Sequence, residues 1–160
     1  MLVGKALAEG HGLVYNGVVG TPPAAKFPPL YSGFLAILWR MLGEIGAVTL
    51  AATVLNVGFL AVAGALFAKA LHTSAGLSPH VSIANAGLAF ISTDLIRTAL
   101  VHMSESLFML LMMGALCLWA RTRSKRADGR PGRLTWADAC LATLLLAAVA
   151  TRTAGLALTL

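Results

Sequence analysis

The chain has 160 residues, of which 58% are hydrophobic and only 11% charged, with a formal net charge of +6 at pH 7. A soluble domain typically carries about 25% charged residues, so this composition argues against an ordinary water-soluble domain and favours a protein embedded in a bilayer. Six of the twelve Lys and Arg residues fall within residues 121–133, where they are typical of a cytoplasmic loop rather than of a nucleic-acid-binding surface.

The first 44 residues are predicted to form an outer loop with short helices. Apolar side chains at helical spacing in residues 1–10 predict a short amphipathic helix lying on a surface. Residues 10–29 contain four glycines and two proline pairs, which break regular structure. Residues 30–42, between Pro29 and Gly43, predict an interfacial helix of about 20 Å, which is too short to span a bilayer.

About four transmembrane helices are predicted in the remainder of the chain. Residues 45–68 carry no charge and are long enough to cross the hydrocarbon core. Residues 81–120 would form a helix of about 60 Å, too long for one crossing, so we divide them into spans over 81–101 and 104–120. Residues 136–160 give the fourth span. The predicted fold class is an all-α integral membrane protein in which residues 1–160 form a single membrane domain.

The basic segment at residues 121–133 also predicts the topology. If that segment is cytoplasmic, the alternation of spans makes residues 69–80 cytoplasmic as well. The segments on the outer side are then residues 1–44, the turn at 102–104 and the end near residue 152. Residues 1–44 carry three basic and two acidic side chains, whereas residues 121–133 carry six basic side chains and one acidic one. This asymmetry is the main support for the predicted orientation.

Ionisable residues inside predicted spans are candidates for function, because charge is costly in a bilayer. They are Asp94, Arg97, His102, Glu105 and Arg152, and the predicted topology puts them toward the outer leaflet. In one interpretation Asp94 pairs with Arg97, and Glu105 with Arg152, only to neutralise charge. In the other they form a cationic pocket that holds a phosphate at headgroup depth.

The remaining reactive side chains predict no further site. Cys117 and Cys140 lie in apolar stretches and are interpreted as small hydrophobic residues. The spacing of His72 and His80 is not that of metal ligands. The methionines at residues 109–113 are typical of helix packing. The sequence thus predicts no metal-ligating residues and identifies no cofactor, and it leaves open whether a divalent metal ion is required.

Several segments together resemble membrane glycosyltransferases of the GT-C type, the group that includes protein O-mannosyltransferases and the lipid A aminoarabinose transferase. The sequences GHGLVY at residues 10–15 and KFPPLY at 26–31, followed by a helix that closes at Gly43, resemble the first outer loop of that group. The sequence SESLF at residues 104–108 resembles the Ser-Glu element that opens a later span. The sequence TRTAGL at 151–156 is similar to a T-R-x-x-G element near the outer end of the next span.

The resemblance implies a transferase that moves a sugar from a polyprenyl-phosphate carrier to an acceptor at the extracytoplasmic face of the plasma membrane. It implies a general-base aspartate upstream of Met1, so we expect this chain to contain no catalytic residue, to be a part of a larger transmembrane domain, and to transfer no sugar by itself. The expected partners are membrane lipid and the polyprenyl-phosphate sugar, with no nucleic acid. The candidate donor-phosphate or pocket residues are Lys26, Tyr31, Arg97, His102, Glu105 and Arg152.

The alternative is a non-enzymatic multi-pass membrane protein, such as an assembly partner or a small transporter subunit, whose charges serve only helix packing. A transporter typically shows Pro or Gly inside paired spans near the midplane. The prolines of this chain lie in predicted loops or at loop edges, and together with the Pro-Pro-Leu-Tyr element they favour the transferase.

Overall fold

The structure is a computed structural model that describes residues 1–14, 23, 28–92, 96–97, 100, 104–127 and 136–152, with the backbone alone at 123–127 and 152. Its described part is helical, which confirms the predicted all-α class, and an isolated antiparallel bridge pairs Val14 with Pro23. The helices are α1 (Leu2–Ala8), α2 (Pro29–Leu42), α3 (Ile45–Ala75), α4 (Pro79–Phe90), α5 (Glu105–Ala127) and α6 (Trp136–Arg152).

Helix α1 packs against α2. Ala6 is fully buried, and a Cβ atom added at Gly4 would lie 2.6 Å from the Cβ atom of Leu35, so only glycine permits this approach of the two helices. At the end of α1, the Arg40 Nε donates a hydrogen bond of 3.2 Å to the carbonyl of Ala8. The amphipathic helix predicted at the N-terminus is therefore present, and its apolar side faces α2.

Helix α2 begins and ends at the residues that the sequence indicates. Pro29 stands in the first turn, where its missing N–H costs no helical hydrogen bond. Gly43 follows the last helical residue with a φ of 67°, and its N–H donates to the carbonyl of Trp39 at 2.9 Å. This left-handed conformation is readily adopted by glycine and ends the helix.

Helices α2 and α3 form an antiparallel hairpin through a turn at residues 43–44. Tyr31, near the start of α2, accepts a hydrogen bond from the Asn56 side chain of α3. The ring centroids of Phe34 and Phe59 are 5.6 Å apart. Helix α2, predicted as an interfacial helix, therefore packs back along the first half of α3. The buried apolar cluster between the two helices consists of Tyr31, Leu35, Leu38, Val48 and Ala52.

Helix α3 is longer than the sequence predicts. It has 31 residues, about 46 Å of helix, and it continues through Lys69 and His72, where the sequence predicts a polar break. Lysine and histidine are both compatible with a helix, so their polarity does not stop it. The helix ends at Ala75 because Gly76 adopts a φ of 68°, a left-handed conformation that favours glycine.

Helix α4 is shorter than the predicted span over residues 81–101. It has 12 residues, about 18 Å, and Ile91 and Ser92 after it are not helical. The sequence from Ile91 to Asp94 is Ile-Ser-Thr-Asp, in which β-branched side chains and side chains that compete for backbone hydrogen bonds all disfavour a helix. The prediction of one continuous helix over 81–101 is therefore wrong.

Helices α3 and α5 pack side by side and run in the same direction. The Sγ atom of Cys117 donates to the carbonyl of Leu66 at 3.4 Å. Nearer the start of both helices, Tyr31 hydrogen-bonds Asn56 of α3 and lies within electrostatic range of Glu105 of α5. Since residue numbers rise together along the two helices, the segment between them must return to the end at which α3 begins.

Helix α4 makes the first part of this return. The ring centroids of Phe90 and Phe67 are 6.0 Å apart, and a Cβ atom at Gly64 would lie 3.5 Å from the Phe90 ring. By its last residue, α4 has therefore come back from the end of α3 to about the level of residues 64–67.

Two of the described helices are long and apolar enough to cross a membrane. They are Ile45–Ala75, with a mean hydropathy of 2.1 over an 18-residue window, and Glu105–Thr122, with a mean hydropathy of 1.3. Only 22% of the first window and 17% of the second is buried inside the structure. A core helix of a soluble protein would be mostly buried, whereas these helices expose large apolar side chains such as Leu50 and Val54. The described residues thus provide two span-length helices where the sequence predicts four spans, and the apolar helix Trp136–Thr151 is shorter.

Candidate functional site

A buried polar cluster lies between α2, α3 and α5, and we refer to Tyr31, Asn56 and Glu105 as the Tyr31 cluster. The side chain of Asn56 is fully buried and that of Tyr31 is 4% exposed. The Nδ2 atom of Asn56 donates a hydrogen bond of 2.9 Å to the Tyr31 hydroxyl. Glu105, the first residue of α5, is half-buried, and it lies within electrostatic range of Tyr31.

Helical periodicity explains why Tyr31 and Asn56 meet. Tyr31 and Leu35 are one turn apart on α2 and share its buried face. Val48, Ala52 and Asn56 are each four residues apart on α3 and form a single buried stripe. Because Ala52 is small, α2 approaches α3 closely, and the Tyr31 hydroxyl reaches the amide at the far end of the stripe.

The surroundings of Tyr31 keep its hydroxyl protonated. Burial raises the pKa of Tyr31 above its ordinary value of 10.0, the hydrogen bond from Asn56 opposes that rise, and the charge of Glu105 adds to it. The neutral phenol accepts a hydrogen bond from Asn56 and retains its own O–H as a donor. Tyr31 can therefore donate to a phosphate or carboxylate oxygen in this cluster.

Glu105 has a carboxylate oxygen that accepts no hydrogen bond from the described residues around it. In the part of the chain that the structure describes, its buried Oε2 atom has no hydrogen-bond partner, and neither has the buried Oγ atom of Ser106. A buried acceptor without a donor costs on the order of 1–3 kcal/mol. The arrangement can therefore accept hydrogen bonds from ligand hydroxyls, such as those of a sugar, or from a basic side chain.

The end of α6 lies at the same end of the bundle as the Tyr31 cluster. Helix α6 contacts α5 and α2, and Thr151 in its last turn is fully buried, with its hydroxyl donating to the carbonyl of Ala148 at 2.6 Å. Arg152 ends this helix. The side chain of Arg152 is outside the described residues, so its predicted pairing with Glu105 stays a prediction.

The other predicted site residues are not brought into the Tyr31 cluster by the described part of the chain. Arg97 is helical and exposed. Lys26, Asp94 and His102 lie outside the described residues, and so does the predicted pairing of Asp94 with Arg97.

Asn56 is the member of the cluster that sequence reasoning missed. It lies inside the uncharged stretch at residues 45–68, where the sequence predicts only a transmembrane helix. Its side chain is the one amide in that stretch, and a strongly polar residue within a span is itself an indication of function or of helix contact. Its spacing of four residues from Ala52 could have placed it on the buried face.

Among the described residues, no group of three or more His, Cys, Asp or Glu side chains is arranged to hold a metal ion. Comparisons with protein families, with curated proteins and with solved structures give no match to this chain.

Proposed function

We propose that this chain is a multi-pass component of a GT-C type glycosyltransferase, which transfers a sugar from a polyprenyl-phosphate carrier to an acceptor at the extracytoplasmic face of the plasma membrane. One observation carries the proposal. The two most specific parts of the sequence resemblance, residues 28–43 and 104–108, are far apart in the chain. In the structure Leu107 packs against the buried cluster that contains Tyr31, and the charge of Glu105 acts on Tyr31.

The proposed role of these residues is to hold the donor. The phosphate of the carrier requires hydrogen-bond donors and positive charge, which we assign to Tyr31 and, near the same outer end, to Arg152. The unsatisfied Oε2 atom of Glu105 accepts a hydrogen bond from a sugar hydroxyl. Lys26, Arg97 and His102 stay further candidates for phosphate contacts. The base that removes the acceptor proton is not assigned to this chain.

The proposed topology has four crossings, with residues 1–44 outside and 121–133 inside. It is supported by the common direction of α3 and α5, because two span-length helices that run the same way need a returning segment between them. In this topology the second crossing falls in the predicted span over residues 81–101, within which α4 ends at Phe90. A helix that ends inside a membrane is tolerated when it packs against protein.

Donor binding tests the proposal. The full chain, reconstituted in nanodiscs of neutral phosphatidylcholine, is titrated with a polyprenyl-phosphate hexose, and its thermal midpoint is recorded. We expect the hexose-bearing carrier to stabilise the chain at lower concentration than the bare polyprenyl phosphate does. Arg152→Lys should raise the half-saturating concentration severalfold, because a point charge replaces a two-pronged donor, and Glu105→Gln should remove the preference for the hexose-bearing form. Equal responses to both carriers in the unmodified chain would refute the proposal.

The non-enzymatic alternative is favoured by the hydrogen bond between Tyr31 and Asn56, which joins two helices without any ligand. Here Glu105 and Arg152 would only neutralise each other. Breaking such a pair from one side is strongly destabilising, whereas replacing both partners is often neutral. In this case Glu105→Gln and Arg152→Met would each lower the thermal midpoint, the double variant would restore it, and no polyprenyl phosphate would shift it.

A further inference from the structure

A second site lies farther along the helices than the Tyr31 cluster. The last turns of α3 and the C-terminal half of α5 enclose, with α6, a cavity of about 560 Å³. This volume is within the range of about 300–1,000 Å³ that small-molecule sites occupy. We refer to it as the Lys69 cavity, and its polar wall consists of Lys69, Thr73, Ser74, Cys117 and Arg121.

The charge of this cavity has one sign. Lys69 of α3 and Arg121 of α5 both line the cavity and are both exposed, so two helices contribute a basic residue to its rim. The described lining residues include no carboxylate, and in the described part of the chain neither cation forms an ion pair. Asp138 in the first turn of α6 is not among the lining residues. A ligand for this cavity should therefore be an anion.

The rest of the wall is apolar. Leu66 of α3, Leu118 of α5 and Leu144 of α6 line the cavity beside the cations, so it combines a cationic end with a surface for hydrocarbon. Arginine forms two parallel hydrogen bonds to a phosphate group, and lysine adds a compact positive charge. Ser74 adds a hydroxyl group to the wall.

We propose that the Lys69 cavity binds the phosphodiester headgroup of an anionic phospholipid, with an acyl chain against the leucine side chains. Basic pockets between membrane helices commonly hold such headgroups on the side where positive charge accumulates. The basic segment at residues 121–133 begins at this cavity. The proposal requires that the chain lie in a membrane but is independent of the proposed transferase function, because the Lys69 cavity shares no residue with the Tyr31 cluster.

The test is lipid-dependent stabilisation of the full chain in phosphatidylcholine nanodiscs or detergent. Short-chain phosphatidylglycerol is added, and the thermal midpoint is followed against its concentration. We expect saturable stabilisation by phosphatidylglycerol and none by short-chain phosphatidylcholine. In the double variant Lys69→Gln/Arg121→Gln the half-saturating concentration should rise roughly ten- to thirtyfold, since each cation near an anionic lipid contributes about a factor of five.

The matched control is Lys5→Gln/Arg40→Gln, which removes one lysine and one arginine from α1 and α2. Lys5 is half-buried and Arg40 exposed, and neither lines the cavity. It should change the half-saturating concentration by less than about twofold. A second variant, Ala70→Phe, fills the cavity while both cations stay, and it should weaken phosphatidylglycerol binding as strongly as the charge variant does. If the double variant fails to fold, its two single variants are measured, each with an expected rise of about fivefold.

Three results would overturn the proposal. One is a half-saturating concentration that is the same in the charge variant and the control variant. Another is unchanged phosphatidylglycerol binding in a folded Ala70→Phe protein, which would assign the effect to surface charge outside the cavity. The last is stabilisation by glycerol phosphate at the same concentration as by phosphatidylglycerol, which would make the ligand a soluble phosphate rather than a lipid.

Discussion

Tyr31 and Asn56 join α2 to α3 through a hydrogen bond of 2.9 Å between two buried side chains. They lie on opposite arms of the hairpin, and the charge of Glu105 at the start of α5 acts on Tyr31. The same contact therefore serves the packing of the hairpin and the geometry of the candidate site, and the two roles can be separated by mutation.

Removing one partner of this hydrogen bond should destabilise the chain more than removing both. Tyr31→Phe leaves the buried Asn56 amide without the phenol oxygen, and Asn56→Leu leaves the phenol without its donor, so each should cost on the order of 1–3 kcal/mol of unfolding free energy. The double variant should cost less than the sum of the two. Asn85→Ala, at an exposed position on α4, is the control and should stay within about 0.5 kcal/mol. The unfolding free energies are measured by denaturant titration. If the cost of the double variant equals the sum of the two single costs, Tyr31 and Asn56 are not energetically coupled.

The pKa of Tyr31 predicts a loss of stability at alkaline pH. Burial is the first cause of its upward shift, so the folded chain holds the phenol proton more tightly than the unfolded chain does. This contribution is fully present below the unfolded pKa of about 10 and is lost as the pH rises through the higher folded value. The difference in unfolding free energy between the unmodified chain and Tyr31→Phe should therefore shrink above about pH 10. A constant difference through that range would contradict the shift.

Gly4 should not tolerate a methyl group. A Cβ atom there would stand 2.6 Å from the Leu35 Cβ atom and 3.3 Å from the Leu35 carbonyl carbon, so α1 must move away from α2. We expect Gly4→Ala to lower the unfolding free energy by about 1–3 kcal/mol and to increase amide hydrogen exchange in α1. Gly33→Ala is the matched control, because no heavy atom lies within 4 Å of its added Cβ, and it should be neutral or stabilising by up to about 1 kcal/mol.

The charge asymmetry predicts which ends of the chain face which side of the membrane. After Cys117 and Cys140 are replaced by alanine, single cysteines at Asn16 and Ser124 should react with an impermeant thiol reagent from opposite sides, with Asn16 accessible from outside. The measurement is labelling of intact cells against labelling of inverted vesicles. Reaction of both cysteines from one side would remove the basis for an outward-facing donor site.

The bounds of the helices could be predicted from the sequence where a local signal determines them. Pro29 and Gly43 delimit α2 because their backbone preferences act without any partner. The same reasoning fails at Lys69, where the sequence predicts a polar break between helices. Helix α3 continues through Lys69, because a single charged residue does not end a helix. The reasoning fails again at Ile91, where neither proline nor glycine marks the end of α4.

The candidate site was predictable only in part, because it depends on how the helices pack. Tyr31 and Glu105 were both selected from the sequence, the first from the Pro-Pro-Leu-Tyr element and the second as a charge inside a span. That they lie within electrostatic range of each other follows from the hairpin of α2 and α3 and from the common direction of α3 and α5. Asn56 and the Lys69 cavity lie at helix contacts as well, and a single sequence does not specify which helices touch.

The common direction of α3 and α5 also imposes an order on biosynthesis. Translation delivers α1, α2 and α3 first, and their mutual contacts are local in sequence, so this unit can assemble in the membrane as soon as it leaves the ribosome. The side of α3 that later receives α5 stays open until residues 105–122 have been synthesised. During that interval Leu66 and the end of α3 face lipid or an insertion factor, and the arrival of Cys117 marks the completion of the bundle.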